Sequence, residues 1–250
     1  MIELKSKREI ELMREAGKVL SEVHNRLGEE VAPGKSSWEL NEFADKLIRK
    51  MHCFPSFYHL YDFPAACCIS LNEEVIHGIP DKHRILKEGD IISFDIGTCY
   101  RGYHSDATRT WPVGKVSPEA ERIIRVCRES FFKGIEQAVP GNHLNDICSA
   151  IGNYAMSEGY GVLRDYVGHG IGHEVHMDPE VPNFPMNHRG PKLQSGMTLA
   201  MEPMITEGSE EVRVLDNDWT VVTVDGKLSC HYENTILITD NGPEILSLVQ

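Results

Sequence analysis

Hydrophobic positions in the first fifty residues recur at steps of three and four, which is the spacing of the buried face of an amphipathic helix. Two helix starts are marked within this stretch. Ser6 is followed three residues later by Glu9, and Ser36 is followed in the same way by Glu39, the capping-box pattern of a helix N-terminus. The sequence therefore predicts one helix after Ser6 and another after Ser36.

The second half of the chain repeats this order of elements. Ser117 and Pro118 predict the start of a third helix that runs towards Ala138, and a fourth helix is predicted near Leu144 to Ser157. Apolar runs predict strands in both halves, at 66–71, 91–96, 99–100, 103–111, 198–205, 219–224 and 229–239. Each half is thus two helices followed by strands, which indicates a structural duplication even though the halves share almost no residue identity.

Composition and charge limit the classes of partner. The chain has 250 residues, of which 41% are hydrophobic, and this length suffices to bury a core without disulfides or a structural metal. The formal charge of -13 argues against nucleic acid or an anionic membrane as the main partner, because both require a basic surface. There is no signal-peptide pattern, no apolar run of membrane-spanning length and no CxxC pair among the 7 cysteines. We therefore expect a cytoplasmic protein with reduced thiols.

The common catalytic motifs are absent from the sequence. It contains neither the GxxxxGK[ST] phosphate loop nor a GxSxG nucleophile elbow. The segment from His173 to His176 is one residue short of HExxH, and the glycines before it disfavour the helix that this motif requires. These absences argue against nucleotide-binding loops, serine hydrolases of that type and zincin metalloproteases.

Four carboxylates stand within apolar, strand-like segments. Asp95 occurs in IISFDIG, Asp106 in YHSDATRTW, Glu202 in LAMEPMI and Glu233 in CHYENTILI. Burying an ionised carboxylate costs several kcal/mol unless it is paired or bound to a metal. For any one of them, a salt bridge or a strand end near solvent is the simpler interpretation. All four together, with His169 in a glycine-rich segment, favour a shared metal site, since buried like charges would otherwise repel.

The spacing of these residues suits such a site. Asp95 and Asp106 are separated by a glycine-containing turn, so two adjacent hairpin strands could bring them face to face. Oxygen ligands with one imidazole favour a hard or borderline divalent ion. Two bridging carboxylates would hold two ions ~3.5–4 Å apart, the spacing used in metal-assisted hydrolysis.

These residues, in this order, resemble the ligand set of the pita-bread metallopeptidases and, within them, the type I methionine aminopeptidases. The resemblance covers nearly the whole chain and is carried by NEEVIHGIP, DIGTCYRGYHSDATRTW, GHGIGHEVHMDPEVPN, GMTLAMEPM and the final block through YENTILIT. It implies an α+β pita-bread fold, with helices outside a curved antiparallel sheet in two pseudo-symmetric halves. It also implies a single catalytic domain spanning residues 1–250.

The resemblance assigns roles to the five ligand positions. Asp95 and Asp106 would bind one ion, Asp106 and Glu233 would bridge, and His169 and Glu202 would complete the shell of the second ion. Glu202 would also act as acid and base for the attacking water. Cobalt, manganese, iron and zinc all suit these ligands, so the sequence implies two divalent ions without naming the element.

The resemblance also assigns residues that contact substrate. His176 would stabilise the tetrahedral intermediate, and His77 would contact the substrate near the scissile amide or its amine. Cys68, Phe63 and Trp219 would line a methionine pocket, because sulfur and aromatic groups suit a thioether side chain. In each case the alternative is an ordinary core or surface residue.

The activity that follows is removal of the initiator methionine from nascent proteins and peptides with a small second residue. We expect a monomer whose partners are nascent-chain N-termini. Contact with the ribosome surface would suit this role, but the acidic net charge does not support it. Three alternatives stay open: an aminopeptidase of the same fold that cleaves X-Pro bonds, a binding module that has lost its metals, and a thiol hydrolase built on Cys68 and His77.

Overall fold

A computed structural model describes residues 2–248, so the two ends of the predicted domain, Met1 and Val249–Gln250, lie outside it. The helices are α1 (Lys7–Glu30), α2 (Ser37–Lys50), α3 (Pro118–Ile135) and α4 (Leu144–Ser157), with a short 3-10 turn at Leu60–Asp62. The strands are β1 (Phe54–Pro55), β2 (Cys68–Leu71), β3 (Glu74–Ile76), β4 (Ile91–Tyr100), β5 (Tyr103–Pro112), β6 (Gly161–Val162), β7 (Gly168–Gly170), β8 (Met177–Val181), β9 (Thr198–Met201), β10 (Met204–Thr206), β11 (Val212–Val214), β12 (Val221–Thr223), β13 (Ser229–His231), β14 (Asn234–Thr239) and β15 (Gly242–Ile245).

The helices begin where the polar caps predict. The Ser6 hydroxyl accepts a hydrogen bond from the Glu9 amide, and the Glu9 carboxylate accepts one from the Ser6 amide, so α1 has a complete capping box. Ser36 and Glu39 form the same box at α2, and Ser117 caps α3. The third helix ends at Ile135, three residues before Ala138, because the last amides bond to carbonyls only three residues back.

Every strand pairing in the described residues is antiparallel, and the strands form four small sheets. The first half contributes β1, β4 and β2 in that order, with β5 paired to β4. The second half contributes the five-stranded sheet β15-β14-β9-β7-β8 and the three-stranded sheet β13-β10-β6. In the remaining sheet, β11-β12-β3, strands from both halves of the chain pair. The two halves are therefore joined through main-chain hydrogen bonds.

Each half has its own hydrophobic core between helices and strands. In the first half, Leu20 and Leu40 from α1 and α2 pack with Phe94 of β4. In the second half, Phe131 of α3 and Ile151 of α4 belong to a separate core, which also contains strand residues. This arrangement places the helices outside and the strands inside, with two pairs of helices in corresponding positions. Among residues 2–248 no helix is long and apolar enough to cross a membrane.

Candidate active site

All ten residues predicted for the site line one cavity of ≈ 510 Å³ between the two halves. They come from the loops and strands of both halves: Phe63, Cys68, His77, Asp95, Asp106, His169, His176, Glu202, Trp219 and Glu233. The sequence therefore predicted a set of positions that the fold brings together, although they are far apart in the chain.

The two aspartates lie on the hairpin of β4 and β5, as predicted, but they are not directly opposite each other. Asp95 pairs with Thr108, while Asp106 pairs with Gly97, so the two carboxylates are diagonal neighbours on one face of the ladder. The turn at Arg101 sets this offset, because it fixes which residues of the two strands are opposite. Asp106 is only 3% exposed.

The two glutamates lie where strands end, and the sequence prediction of uninterrupted strands at 198–205 and 229–239 is wrong at these points. Glu202 falls between β9 and β10, and Glu233 falls between β13 and β14. At both breaks the chain leaves one sheet and enters another, because β9 pairs with β14 whereas β10 pairs with β13. The main chain of Glu233 is hydrogen-bonded in both directions to Thr108 of β5. We call this region the sheet junction (residues 202–203 and 232–233).

His169 reaches the cavity from β7, and the glycines around it have a steric cause. A Cβ atom at Gly170 would clash with the carbonyl oxygen of Asp178, and one at Gly168 would clash with that of Ala200. The strand is thus held tightly between β8 and β9, which fixes the backbone that carries His169. The glycine-rich pattern therefore reflects close strand packing.

The protonation of His169 follows from its hydrogen bonds. Its Nδ1 lies 2.9 Å from the carbonyl oxygen of Gly170, and because a carbonyl only accepts, Nδ1 carries the proton. Burial lowers the His169 pKa to about 3, so the imidazole is neutral and Nε2 presents a lone pair. That lone pair faces Glu202 Oε1 at 3.6 Å and Asp106 Oδ2 at 3.9 Å. Acceptors therefore face acceptors, and a proton or a metal cation placed among them would relieve this.

The carboxylates themselves show the same deficit of positive charge. Ligand atoms of Asp106, His169 and Glu233 all lie within 4.8 Å of one another. One oxygen each of Asp95, Asp106 and Glu233 is buried without a hydrogen-bond partner. Among residues 2–248, no lysine or arginine forms an ion pair with the four carboxylates at this site, so these atoms fit a divalent metal.

Burial raises the pKa of each carboxyl group, and repulsion from neighbouring carboxylates adds to the rise for three of the four. Burial raises the Asp95 pKa to about 6. Burial also raises the pKa of Asp106, and the negative charges of Glu233 and Asp95 raise it further. The pKa values of Glu202 and Glu233 are raised for the same two reasons. Without a cation, the cluster therefore holds protons that a bound metal would displace.

The nearest arginine does not neutralise this cluster. Arg109 is buried, but its guanidinium donates to the main-chain carbonyl of Glu233 at 2.5 Å and to Asn234 Oδ1 at 2.6 Å. Glu233 Oε2 instead accepts from the Thr108 hydroxyl at 2.9 Å. Arg109 thus fixes the backbone of the sheet junction and leaves the Glu233 carboxylate directed at the cavity.

The two predicted substrate-contacting histidines lie at the cavity wall. The ring of His176 is 4.5 Å from that of His169, and His176 is exposed at the mouth. His77 is half-buried with its φ at 57°, and its ring meets the edge of Trp219 at 6.2 Å. Burial lowers the His77 pKa to about 4, so this imidazole is neutral at physiological pH.

An apolar wall completes the cavity. Phe63, Cys68 and Phe57 are buried in one cluster with the half-buried Trp219, and the rings of Phe63 and Trp219 meet edge to face at 5.0 Å. Burial raises the pKa of the Cys68 thiol well above its ordinary value. A thiol that stays protonated is a weak nucleophile, which argues against a thiol hydrolase built on Cys68 and His77.

Two residues near the site were not predicted. Tyr61 is 69% exposed, and its ring stacks on His176 with centroids 5.9 Å apart. It is held there by a loop in which His59, Tyr61 and Asp62 all have positive φ, a geometry that sequence patterns do not reveal. His231 is buried beside Glu202; its place two residues before Glu233 on an extended segment was a signal that could have identified it.

Comparison with known proteins agrees with this geometry. The profile of metallopeptidase family M24 matches residues 11–240. The methionine aminopeptidase of Clostridium perfringens is 56% identical over 250 residues, which is the full length of both chains. A crystal structure of methionine aminopeptidase from Thermotoga maritima has a TM-score of 0.98 and 42% identity, with 100% of both chains covered.

A more distant structure marks the extent of the fold. The prolidase from Pyrococcus furiosus has a TM-score of 0.81 at 24% identity, and the match covers 99% of this chain and 66% of that one. At this identity the likeness concerns the fold alone. The structural neighbours together confirm the predicted pita-bread fold. On its sequence and structure, the chain belongs to metallopeptidase family M24 and, within it, to the methionine aminopeptidases.

Proposed function

We propose that this chain removes the N-terminal methionine from nascent proteins and peptides whose second residue is small. The observation that carries the proposal is the His169 lone pair, which faces two carboxylates across a gap that suits a cation, in a cavity with a sulfur and aromatic wall. The full-length relative from Clostridium perfringens bears the name of this activity and supports the same conclusion.

A metallopeptidase uses a divalent metal, and we propose that this site holds two ions. Asp95 and Asp106 would bind the first, His169 and Glu202 the second, and Asp106 and Glu233 would bridge them. Cobalt, manganese, iron and zinc all suit carboxylates with one imidazole. Divalent ions in such a site act as Lewis acids that make water more acidic and polarise a carbonyl.

The side chains of this protein would then move the protons. Glu202 would accept the proton of the attacking water and deliver it to the leaving amine as the C–N bond breaks. His176, at the mouth of the cavity, donates a hydrogen bond to the oxygen on which charge develops. His77 would contact the scissile amide or the substrate amine.

The apolar wall would select the first residue of the substrate. Cys68 and Phe63 are buried and, with Trp219, they surround a space suited to an unbranched thioether. Sulfur against an aromatic ring contributes ~0.3–1.5 kcal/mol per contact. Methionine would therefore be preferred over branched or charged residues at this position.

We also propose that residues 1–250 act as one catalytic domain, as a monomer in the cytoplasm. The cavity is supported by both halves, so neither half alone would hold the ligand set. Nascent-chain N-termini are the partners that this activity requires, and contact with the ribosome surface remains a prediction. Sedimentation of the purified protein would test the monomer directly.

The activity is tested with peptides and defined metals. Protein stripped with a chelator is titrated with each divalent ion and assayed for methionine release from Met-Ala and Met-Leu peptides, with an X-Pro peptide in parallel. We expect release from Met-Ala only, after metal addition. Cleavage of the X-Pro peptide would favour the alternative enzyme of the same fold, and no cleavage with any ion would refute both.

A matched pair of variants tests the role of Glu202. Glu202→Gln removes the charge of the proposed ligand and proton carrier, and we expect kcat to fall at least 100-fold. Glu180 is an exposed glutamate on the rim of the same cavity, so Glu180→Gln makes the same chemical change outside the proposed ligand set. If both variants lose activity equally, the assignment of Glu202 is wrong.

A further inference from the structure

One buried histidine near the site is not used by the mechanism above. His231 is the last residue of β13 and is 1% exposed. Its Nε2 is buried without a hydrogen-bond partner in the described residues, and Glu202 Oε2 lies 3.5 Å from it, within ion-pair range. A carboxylate oxygen only accepts, so the contact is attractive when Nε2 carries the proton of the ring.

The two oxygens of Glu202 face different imidazoles. Oε1 is 3.6 Å from His169 Nε2, which presents a lone pair, whereas Oε2 is 3.5 Å from His231. His231 therefore meets the other oxygen from the one that faces His169. His231 is not among the residues that line the cavity.

The backbone around His231 is held firmly. Its carbonyl accepts a hydrogen bond from the Thr110 hydroxyl at 2.8 Å, and its amide donates to the same oxygen at 3.3 Å. The Thr110 hydroxyl in turn lies 2.8 Å from the Ser93 hydroxyl on β4. Because His231 of β13 pairs with Met204 of β10, two residues after Glu202, the imidazole lies beside the break that carries the carboxylate.

From this arrangement we propose that His231 is a positioning residue for Glu202. Its Nε2–H hydrogen-bonds Oε2 and thereby keeps Oε1 turned towards the metal site. The inference rests on the proposed function, because it assigns a task to the carboxylate that the mechanism uses. Loss of such an outer hydrogen bond typically weakens metal binding or activity by about 10–100-fold.

The test uses two variants of His231, one whose side chain keeps an N–H donor and one whose side chain has none. His231→Gln keeps an N–H near the same place, whereas His231→Leu keeps bulk and removes the donor. The variants are loaded with Co(II), and three properties are measured: the visible absorption spectrum, the Co(II) affinity, and kcat and KM on a Met-Ala peptide.

We expect His231→Leu to bind Co(II) about 10–100-fold more weakly, with an altered spectrum and a similar fall in kcat, while KM stays within about 3-fold. His231→Gln should restore all three to near the wild-type values. His24 provides the matched control, since it is equally buried and its Nε2 meets the Ala107 carbonyl on the opposite, helix-packed face of β5. His24→Leu should lower the melting temperature without changing the spectrum or kcat.

Two results would overturn the proposal. A wild-type spectrum and affinity in His231→Leu would mean that the contact with Glu202 has no positioning role. Equal damage in His231→Gln and His231→Leu would mean that the imidazole ring itself is required, as a metal ligand would be. If His231→Leu does not fold, His231→Asn replaces it, because the shorter amide cannot place its donor at the same point.

Failure of the proposed function gives a different result. If the wild-type Co(II) protein releases no methionine, the assigned activity is wrong. The spectra and affinities of the same variants still decide whether His231 orients Glu202.

Discussion

Replacing Asp106 by asparagine should stabilise the metal-free protein and remove most of the stabilisation that a divalent ion provides. Asp106 is 3% exposed, and one of its oxygens is buried without a partner. Its carboxylate and that of Glu233 both supply ligand atoms to a group whose members lie within 4.8 Å of one another. The substitution keeps the shape of the side chain and removes one of four like charges.

The magnitude follows from this distance. Two unit charges 4.8 Å apart, as an outer limit, repel by roughly 3.5 kcal/mol at an effective dielectric constant of 20. Proton uptake relieves part of this repulsion, because the pKa of Asp106 is already raised by its neighbours. We therefore expect a gain of about 1–3 kcal/mol, which corresponds to a rise in melting temperature of about 2–12 °C for a chain of this size.

Metal binding should stabilise the wild type more than the variant. A metal present at 100 times its Kd stabilises the wild type by about 2.7 kcal/mol, whereas the variant lacks a bridging ligand and should gain less than half of this. Melting curves followed by circular dichroism, with chelator and with excess Mn(II) or Co(II), measure both quantities. Glu180→Gln, on the rim of the cavity, serves as the control and should behave as the wild type.

The reasoning fails if metal-free Asp106→Asn melts below the metal-free wild type. That result would show that the cluster is not destabilised by its own charge. An undiminished metal-induced shift in the variant would show that Asp106 is not a ligand.

Three further outcomes are expected. Gly170→Ala should destabilise the fold by about 1–3 kcal/mol in urea denaturation, because its Cβ would clash with the Asp178 carbonyl; unchanged stability would contradict the crowding described for β7. Trp219→Ala removes the ring that meets Phe63 and should lower kcat/KM for Met-Ala peptides about 10–100-fold, mainly through KM, and an unchanged KM would place the methionine elsewhere. Burial lowers the pKa of His24 to about 3 in the folded protein. Below about pH 6.5 the unfolded chain therefore binds a proton at this imidazole that the folded protein does not bind. The free energy of unfolding then falls with decreasing pH, by up to about 1.4 kcal/mol per pH unit. The free energy of unfolding of His24→Leu should therefore depend less on pH between 6.5 and 4.5 than that of the wild type, and equal slopes would refute the assignment.

Local elements were predictable because their signals are local. The serines at positions 6, 36 and 117 mark helix starts through hydrogen bonds to amides three residues away, and all three helices begin there. Strand boundaries were less predictable. The apolar run through Glu202 continues without a break in hydrophobicity, yet the strand ends there because the segment changes its pairing partner. Only Pro203, which lacks an amide proton, indicated this end.

The carboxylates of the site were predictable from the sequence, whereas the residues that contact the site residues from outside were not. Buried carboxylates are rare enough to be recognised in a sequence, so Asp106 and Glu233 stand out from their apolar neighbours. The contact between His231 and Glu202 depends on which strands are adjacent, and the position of Tyr61 depends on left-handed residues in a loop. A short pattern of residue types reveals neither which strands pair nor which residues have a positive φ.

The sheet junction has a consequence for how a bound metal affects opening of the molecule. Its carboxylates lie where β9 gives way to β10 and β13 to β14, all in the second half, and Asp106 of β5 in the first half supplies a ligand atom to the same group. A cation held there would therefore link the two halves of the molecule. Separating the halves would release the ion, and a tightly held ion would oppose that separation. Amide protons in both halves should therefore exchange with deuterium more slowly in the metal-bound protein than in the metal-free protein, and the two halves should open as one cooperative unit.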